Sequence, residues 1–172
     1  MSRINLNRWR IGYSRWAVLF MTALIIVGCA KGPPEDVKLR GEIITVPETN
    51  PDVDGIPSPV LVIVYQLANV DIFENGDFFA LYDPDGEALG ADLLNREQLT
   101  VQPGETRVFA ADFDPETNAI GVIVAYRDIE NASWKSIAEF PQLGMMDKLN
   151  IFKTKKLKIE VNSLSVTATI SK

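Results

Sequence analysis

The stretch Asn50-Pro51-Asp52-Val53-Asp54-Gly55-Ile56 carries side-chain oxygens at alternate positions and a glycine in sixth place, the pattern with which a calcium loop begins. Such a loop needs a bidentate glutamate at its twelfth position. Leu61 stands there instead, inside a β-branched run that reads as a strand, and Pro57 occupies the eighth position. These residues are therefore read as setting turn geometry. Asp83-Pro84-Asp85-Gly86-Glu87 places three carboxylates in five residues, but its glycine comes too early for the same loop, and it reads as a solvated turn. Paired carboxylates can also cleave a glycosidic bond, one as acid and one as nucleophile. With 23 acids in the chain some pair is always at hand, so that pairing carries no information. The 172 residues include no His and one Cys, which removes Ser-His-Asp and Cys-His triads, His-ligated metals and Cys/His zinc sites. The chain is read as a non-enzyme, with no metal, no cofactor and no small-molecule substrate.

The lone cysteine has a telling position. Residues 1–16 contain Arg3, Arg8, Arg10 and Arg15 and no acid, and Ala17 to Val27 then form an unbroken apolar run of 11 residues. As a helix that run spans only about 16 Å, well short of a hydrocarbon core of roughly 30 Å. Lys31, Pro33 and Pro34 stop its extension. The run ends Ile26-Val27-Gly28-Cys29, which resembles a bacterial lipoprotein box. That motif implies a diacylglycerol on the Cys29 thiol, removal of residues 1–28 as a signal peptide, and a tether at 29–35 stiffened by Pro33-Pro34. Two or three acyl chains, at roughly 0.8 kcal/mol per buried methylene, hold a protein on a membrane durably. By resemblance to bacterial sorting rules, Ala30 in place of Asp after the modified Cys favours the outer membrane over the inner one.

Loss of the leader would remove four of the 17 basic residues and none of the 23 acids, leaving a net charge of about −10. So acidic a body argues against nucleic acid, whose binding rests on Lys and Arg neutralising phosphates.

Residues 36–172 are expected to form one domain. Asp36 to Val46 alternates, with Val37, Leu39, Gly41 and Ile43 on one face, and predicts a half-buried strand. Residues 47–59 hold four prolines and predict a long loop. Val60 to Leu67 and Ile120 to Tyr126 are near-continuous apolar runs, as expected of central strands covered on both sides. Residues 70–82 do not alternate, and predict two short helical turns packed on a sheet. Further strands are predicted over 94–101, 106–113 and 135–140, and a hairpin in which Leu157, Ile159 and Val161 face Leu164, Val166 and Ala168. About eight strands with little helix indicate an all-β, antiparallel two-sheet sandwich. Phe73, Phe78, Phe79 and Tyr82 could line a ligand cup, and are read instead as packing a helical appendage onto the sheet. Lys153, Lys155, Lys156 and Lys158 fall on both faces of an extended segment and are read as guarding an edge strand.

Five ordered stretches then carry a likeness: Ser58 to Leu67 (SPVLVIVYQL), Phe78 to Tyr82 (FFALY), Leu89 to Leu94 (LGADLL), Pro103 to Arg107 (PGETR) and Ala125 to Asp128 (AYRD). Following a lipoprotein box, they resemble the TssJ (SciN) lipoproteins of bacterial type VI secretion systems. The resemblance implies a transthyretin-like β-sandwich with a small helical insertion, lipid-anchored at Cys29 on the periplasmic face of the outer membrane. It implies as partner the periplasmic C-terminal region of TssM, which associates with TssL, and so a role in anchoring the secretion membrane complex. It also implicates the loop between the first two strands in TssM binding, here residues 47–59 with Asn50, Pro51, Asp52, Val53, Asp54, Gly55 and Ile56 at its tip. The residues agree, since four prolines reduce the entropy lost when a protruding loop is ordered at an interface. The alternative is a periplasmic lipoprotein that binds a small ligand or cell-wall glycan and is unrelated to secretion.

Overall fold

Two strands that are apolar on both faces set the architecture. The computed structural model describes residues 38–139 and 156–171. Its elements run β1 (Lys38–Thr45), β2 (Val60–Leu67), α1 (Asp71–Asn75), α2 (Phe78–Tyr82), a 3-10 turn (Gly90–Asp92), β3 (Leu93–Val101), β4 (Thr106–Asp112), β5 (Ala119–Ala125), β6 (Lys135–Glu139), β7 (Lys156–Val161) and β8 (Val166–Ser171). They make an all-β sandwich of two four-stranded sheets, ordered β4-β1-β7-β8 and β3-β2-β5-β6, with the two short helices outside. Among the described residues these strands pair antiparallel except β1 with β7, which run parallel from Gly41 beside Leu157 to Thr45 beside Val161.

The alternating strands bury one face each. Leu39 and Ile43 of β1, Leu157, Ile159 and Val161 of β7, and Val166 and Ala168 of β8 point at Val60, Val62, Val64, Ile120, Val122 and Val124 of the opposite sheet. Burial of the Leu, Ile and Val side chains among them contributes about 1.5–3 kcal/mol each. The other face of β2 and β5 presents Ile63, Tyr65, Leu67 and Ile123, which the helical segment covers with Phe73, Leu81 and Leu89. This second layer explains why these two strands lack polar alternation. Gly121 makes it possible: the Phe73 ring lies where a β-carbon would stand, 2.6 Å from the ideal position. Tyr65 donates its hydroxyl to the Leu81 carbonyl at 2.7 Å, and Lys135 Nζ donates to the carbonyls of Phe73, Glu74 and Gly76 at 2.7–3.1 Å. Both helices, each of five residues, are thus held by polar ties as well as by packing.

Four expectations need correction. The strand bearing Lys156 and Lys158 is no edge: β7 lies between β1 and β8, because Leu157, Ile159 and Val161 fill the core while the lysines project to solvent. Lys153 and Lys155 lie outside the described residues. One sheet is mixed rather than wholly antiparallel, since hydrophobic periodicity specifies faces and not neighbours. Leu164 sits in the β7–β8 turn, and Leu157 pairs with Ile170 instead. Phe79 does not pack on the sheet but stands 74% exposed.

Candidate functional site

The β1–β2 loop protrudes from one end of the sandwich and is stapled at its neck. Thr49 is buried, and its hydroxyl donates to the Val46 carbonyl at 2.7 Å. Ser58 N–H donates to the Thr49 carbonyl at 3.1 Å, which closes the neck of the loop. Asn50 is also buried and adopts φ of 52°, a left-handed conformation that asparagine tolerates better than most residues. Its Nδ2 donates to the Pro59 carbonyl, and its Oδ1 accepts from the Arg127 backbone N–H, both at 2.8 Å. Its own N–H donates to the Ser163 carbonyl at 3.0 Å. One side chain and its backbone therefore tie together the β1–β2, β5–β6 and β7–β8 connections. Tyr126 reinforces the assembly by donating its hydroxyl to the Ser165 carbonyl at 2.7 Å. Burial raises the Tyr126 phenol well above its ordinary value.

The loop tip is ordered by its own residues. Gly55 N–H donates to the Asp52 carbonyl, and Asp52 N–H to the Ile56 carbonyl, each at 3.0 Å. Asp52 Oδ1 accepts the N–H of Asp54 at 3.0 Å and of Ile56 at 2.8 Å. Gly55, at φ of 79°, supplies the positive dihedral that the turn requires. The result is a fixed tip from which Val53 projects with full exposure and Ile56 with 59%. Beside the tip lies an open cleft of about 740 Å³, lined by Pro51, Asp52, Val53, Arg127, Asp128 and Leu164.

Of the seven tip residues expected at a partner surface, Pro51, Asp52 and Val53 line this cleft, and Asp54, Gly55 and Ile56 are exposed outside its lining. Asn50 is a clamp beneath it. The floor, Arg127, Asp128 and Leu164, carries no local motif and is absent from the expected site residues; the Asn50 and Tyr126 hydrogen bonds bring it next to a loop far away in sequence. The Asp52 carboxylate faces its own backbone amides, so the half-motif for calcium is spent on the turn. Among the described residues, no three Asp, Glu, His or Cys converge as a metal would require. Among the same residues no helix is long and apolar enough to cross a membrane. Cys29 lies outside the described residues.

A family model for type VI secretion lipoproteins (VasD, EvfM, TssJ) matches residues 37–164. The chain belongs to the type VI secretion lipoprotein family. That is a family of secretion components and not of enzymes. Solved structures agree on the fold of this TssJ-family lipoprotein. The T6SS lipoprotein TssJ1 from Pseudomonas aeruginosa is 25% identical, with TM-score 0.67 over 80% of this chain and 98% of that one. Serratia marcescens Lip, a membrane-bound component of the type VI secretion system, is 19% identical, with TM-score 0.65 over 78% and 96%. A chain in a structure of the T6SS protein TssM C-terminal domain from EAEC is 21% identical, with TM-score 0.58 over 76% and 96%. No curated protein matches the sequence.

Proposed function

We propose that this lipoprotein anchors the type VI secretion membrane complex at the outer membrane by binding the periplasmic C-terminal region of TssM through the tip of its β1–β2 loop, residues 51–56. The carrying observation is the tip itself: Val53 and Ile56 are exposed on a turn that hydrogen bonds hold rigid, above a cleft. Exposed apolar residues gain nothing within their own domain, and a rigid scaffold limits the entropy lost when they are buried at an interface. Asp52, Asp54 and Asp128 surround them with acidic groups, which gives an apolar centre and a charged rim. Family membership and the presence of this fold in a TssM C-terminal domain structure support the choice of partner. TssL would join the complex through TssM. The lipid on Cys29 would hold the lipoprotein in the outer membrane, facing the periplasm. The role calls for no catalysis, cofactor, nucleic acid or small-molecule substrate.

The test is binding of the full lipoprotein, in zwitterionic detergent, to the periplasmic region of TssM. Ile56→Ser paired with Val53→Ser is expected to weaken binding by about tenfold or more. Unchanged affinity in that double variant would place the interface elsewhere.

A further inference from the structure

The helical segment carries a second exposed apolar surface, at the other end of β2 from the loop. The loop enters β2 at Val60 and the helices follow Leu67, so roughly 25 Å of strand separates the two at about 3.3 Å per residue. Phe79 is 74% exposed, Tyr82 38%, and Ile72 of α1 44%. Phe78 joins the two α2 rings: it stacks on Tyr82 at 5.3 Å and meets Phe79 edge-on at 5.5 Å, while its far side rests against Trp134 at 5.3 Å.

This face is built and not frayed. Asp77 Oδ1 caps α2 by accepting the N–H groups of Phe79 and Ala80 at 3.0 and 3.1 Å, which fixes the direction of Phe79. Arg96 donates to the Tyr82 carbonyl at 3.1 Å and so holds the end of the same helix. A rigid, solvent-facing phenylalanine flanked by a second ring is the kind of patch that marks an interaction surface.

Its charge is one-sided. Residues 71–87 contain Asp71, Glu74, Asp77, Asp83, Asp85 and Glu87 and no Lys or Arg. Lys135 and Arg96, the cations that reach this segment among the described residues, spend donors on its backbone carbonyls. Anionic lipid would be repelled, and a second copy of the chain would set one acidic face against another.

We infer that Phe79, Tyr82 and their acidic flanks form a docking site for a basic amphipathic helix of another protein, with leucine- or isoleucine-type residues on one face and Lys and Arg beside them. The aromatic rings take the apolar side chains, and the carboxylates pair with the cations. This surface is independent of the loop proposed for TssM.

The probe is a fluorescent helical peptide made only of leucine and lysine, titrated into the full lipoprotein in zwitterionic detergent. Phe79→Ser is expected to weaken binding by about tenfold, with unchanged melting temperature because the ring is exposed. Asp83→Asn with Asp85→Asn is expected to flatten the salt dependence. Glu48→Gln at the loop end and Ile56→Ser at the loop tip are expected to leave peptide binding unchanged, so that the two surfaces succeed or fail separately. The proposal is overturned if Phe79→Ser binds within about twofold of the parent, or if replacing the leucines by serine leaves affinity intact, which would show charge attraction alone. It is equally overturned if the parent sediments as a dimer that Phe79→Ser dissociates, since the face would then belong to a second copy.

Discussion

The Asn50 side-chain oxygen accepts the Arg127 N–H at 2.8 Å across 77 residues of sequence, and so couples the protruding loop to the floor of the cleft beside it. Asn50→Ala would remove the partner of the Pro59 carbonyl and of the Arg127 N–H, and would force alanine to φ of 52°. The expected loss is about 2–4 kcal/mol, from two lost hydrogen bonds at a part-buried site and left-handed strain together. Asn50→Gly removes the strain and should recover about 1 kcal/mol of it. Urea denaturation of the two variants separates the terms.

At the tip, Asp52 acts through geometry before charge. Its Oδ1 holds the amides of Asp54 and Ile56, so Asp52→Ala frees the turn that presents Ile56. Partner binding should fall by faster dissociation as well as by slower, less salt-dependent association. Asp54→Ala, whose carboxylate is not used in this way, should alter chiefly association. Stopped-flow kinetics at two salt concentrations distinguish the two, and neither variant should shift the melting temperature by more than a few degrees.

The anchor is tested at one atom. Cys29→Ser removes the only thiol in the chain, so palmitate labelling and outer-membrane fractionation should both be lost while the folded domain persists. Palmitate label recovered on the Cys29→Ser variant would refute the assignment.

The strands, the loop and the helical pair are legible in the sequence because each leaves a local signature: alternation, proline density, or an apolar run without alternation. Val62, Val64, Val122 and Val124 are all buried, as their runs imply. Relations between distant segments are not legible. Periodicity cannot distinguish an interior strand from an edge strand, so the lysines of β7 suggest an edge although β1 pairs alongside it. Asn50 reads as a tip residue because its partners, Arg127 and Ser163, lie far off in sequence. Phe79 reads as core because composition does not say which of two adjacent aromatics faces out. In α2, Phe78 and Phe79 point in directions about 100° apart, and it is Phe78 that reaches Trp134.

Gly121 offers a test of the second core layer. A methyl group there would meet the Phe73 ring at 2.6 Å, so Gly121→Ala must displace the ring and the helix that carries it. The expected cost is about 1–3 kcal/mol from overpacking. The damage should be local: hydrogen exchange should rise in residues 71–82 before it rises in β1 or β7. Uniform loss of protection would show that the helical pair and the sandwich unfold as one unit.

Tyr126 links the cleft to alkaline stability. Burial raises its phenol above the ordinary value of 10.0, because ionisation would place a charge among apolar neighbours and abolish donation to the Ser165 carbonyl. A folded-state pKa above the unfolded one means that the native protein keeps a proton the unfolded chain releases. Stability from this group is therefore fully present below pH 10 and declines as pH rises from there toward the higher folded value. Tyr65, raised by burial on the other side of the sheet, acts in the same direction. Tyr126→Phe removes the titrating group and leaves the Ser165 carbonyl without its donor. It should therefore lower stability at neutral pH by about 1–2 kcal/mol, yet flatten the decline above pH 10 relative to the parent. Denaturant midpoints measured from about pH 8 to pH 11 should show the two curves converging as pH rises. Parallel curves would mean that Tyr126 titrates in the folded state much as it does in the unfolded chain, and that the turn at 162–165 opens before the sandwich does.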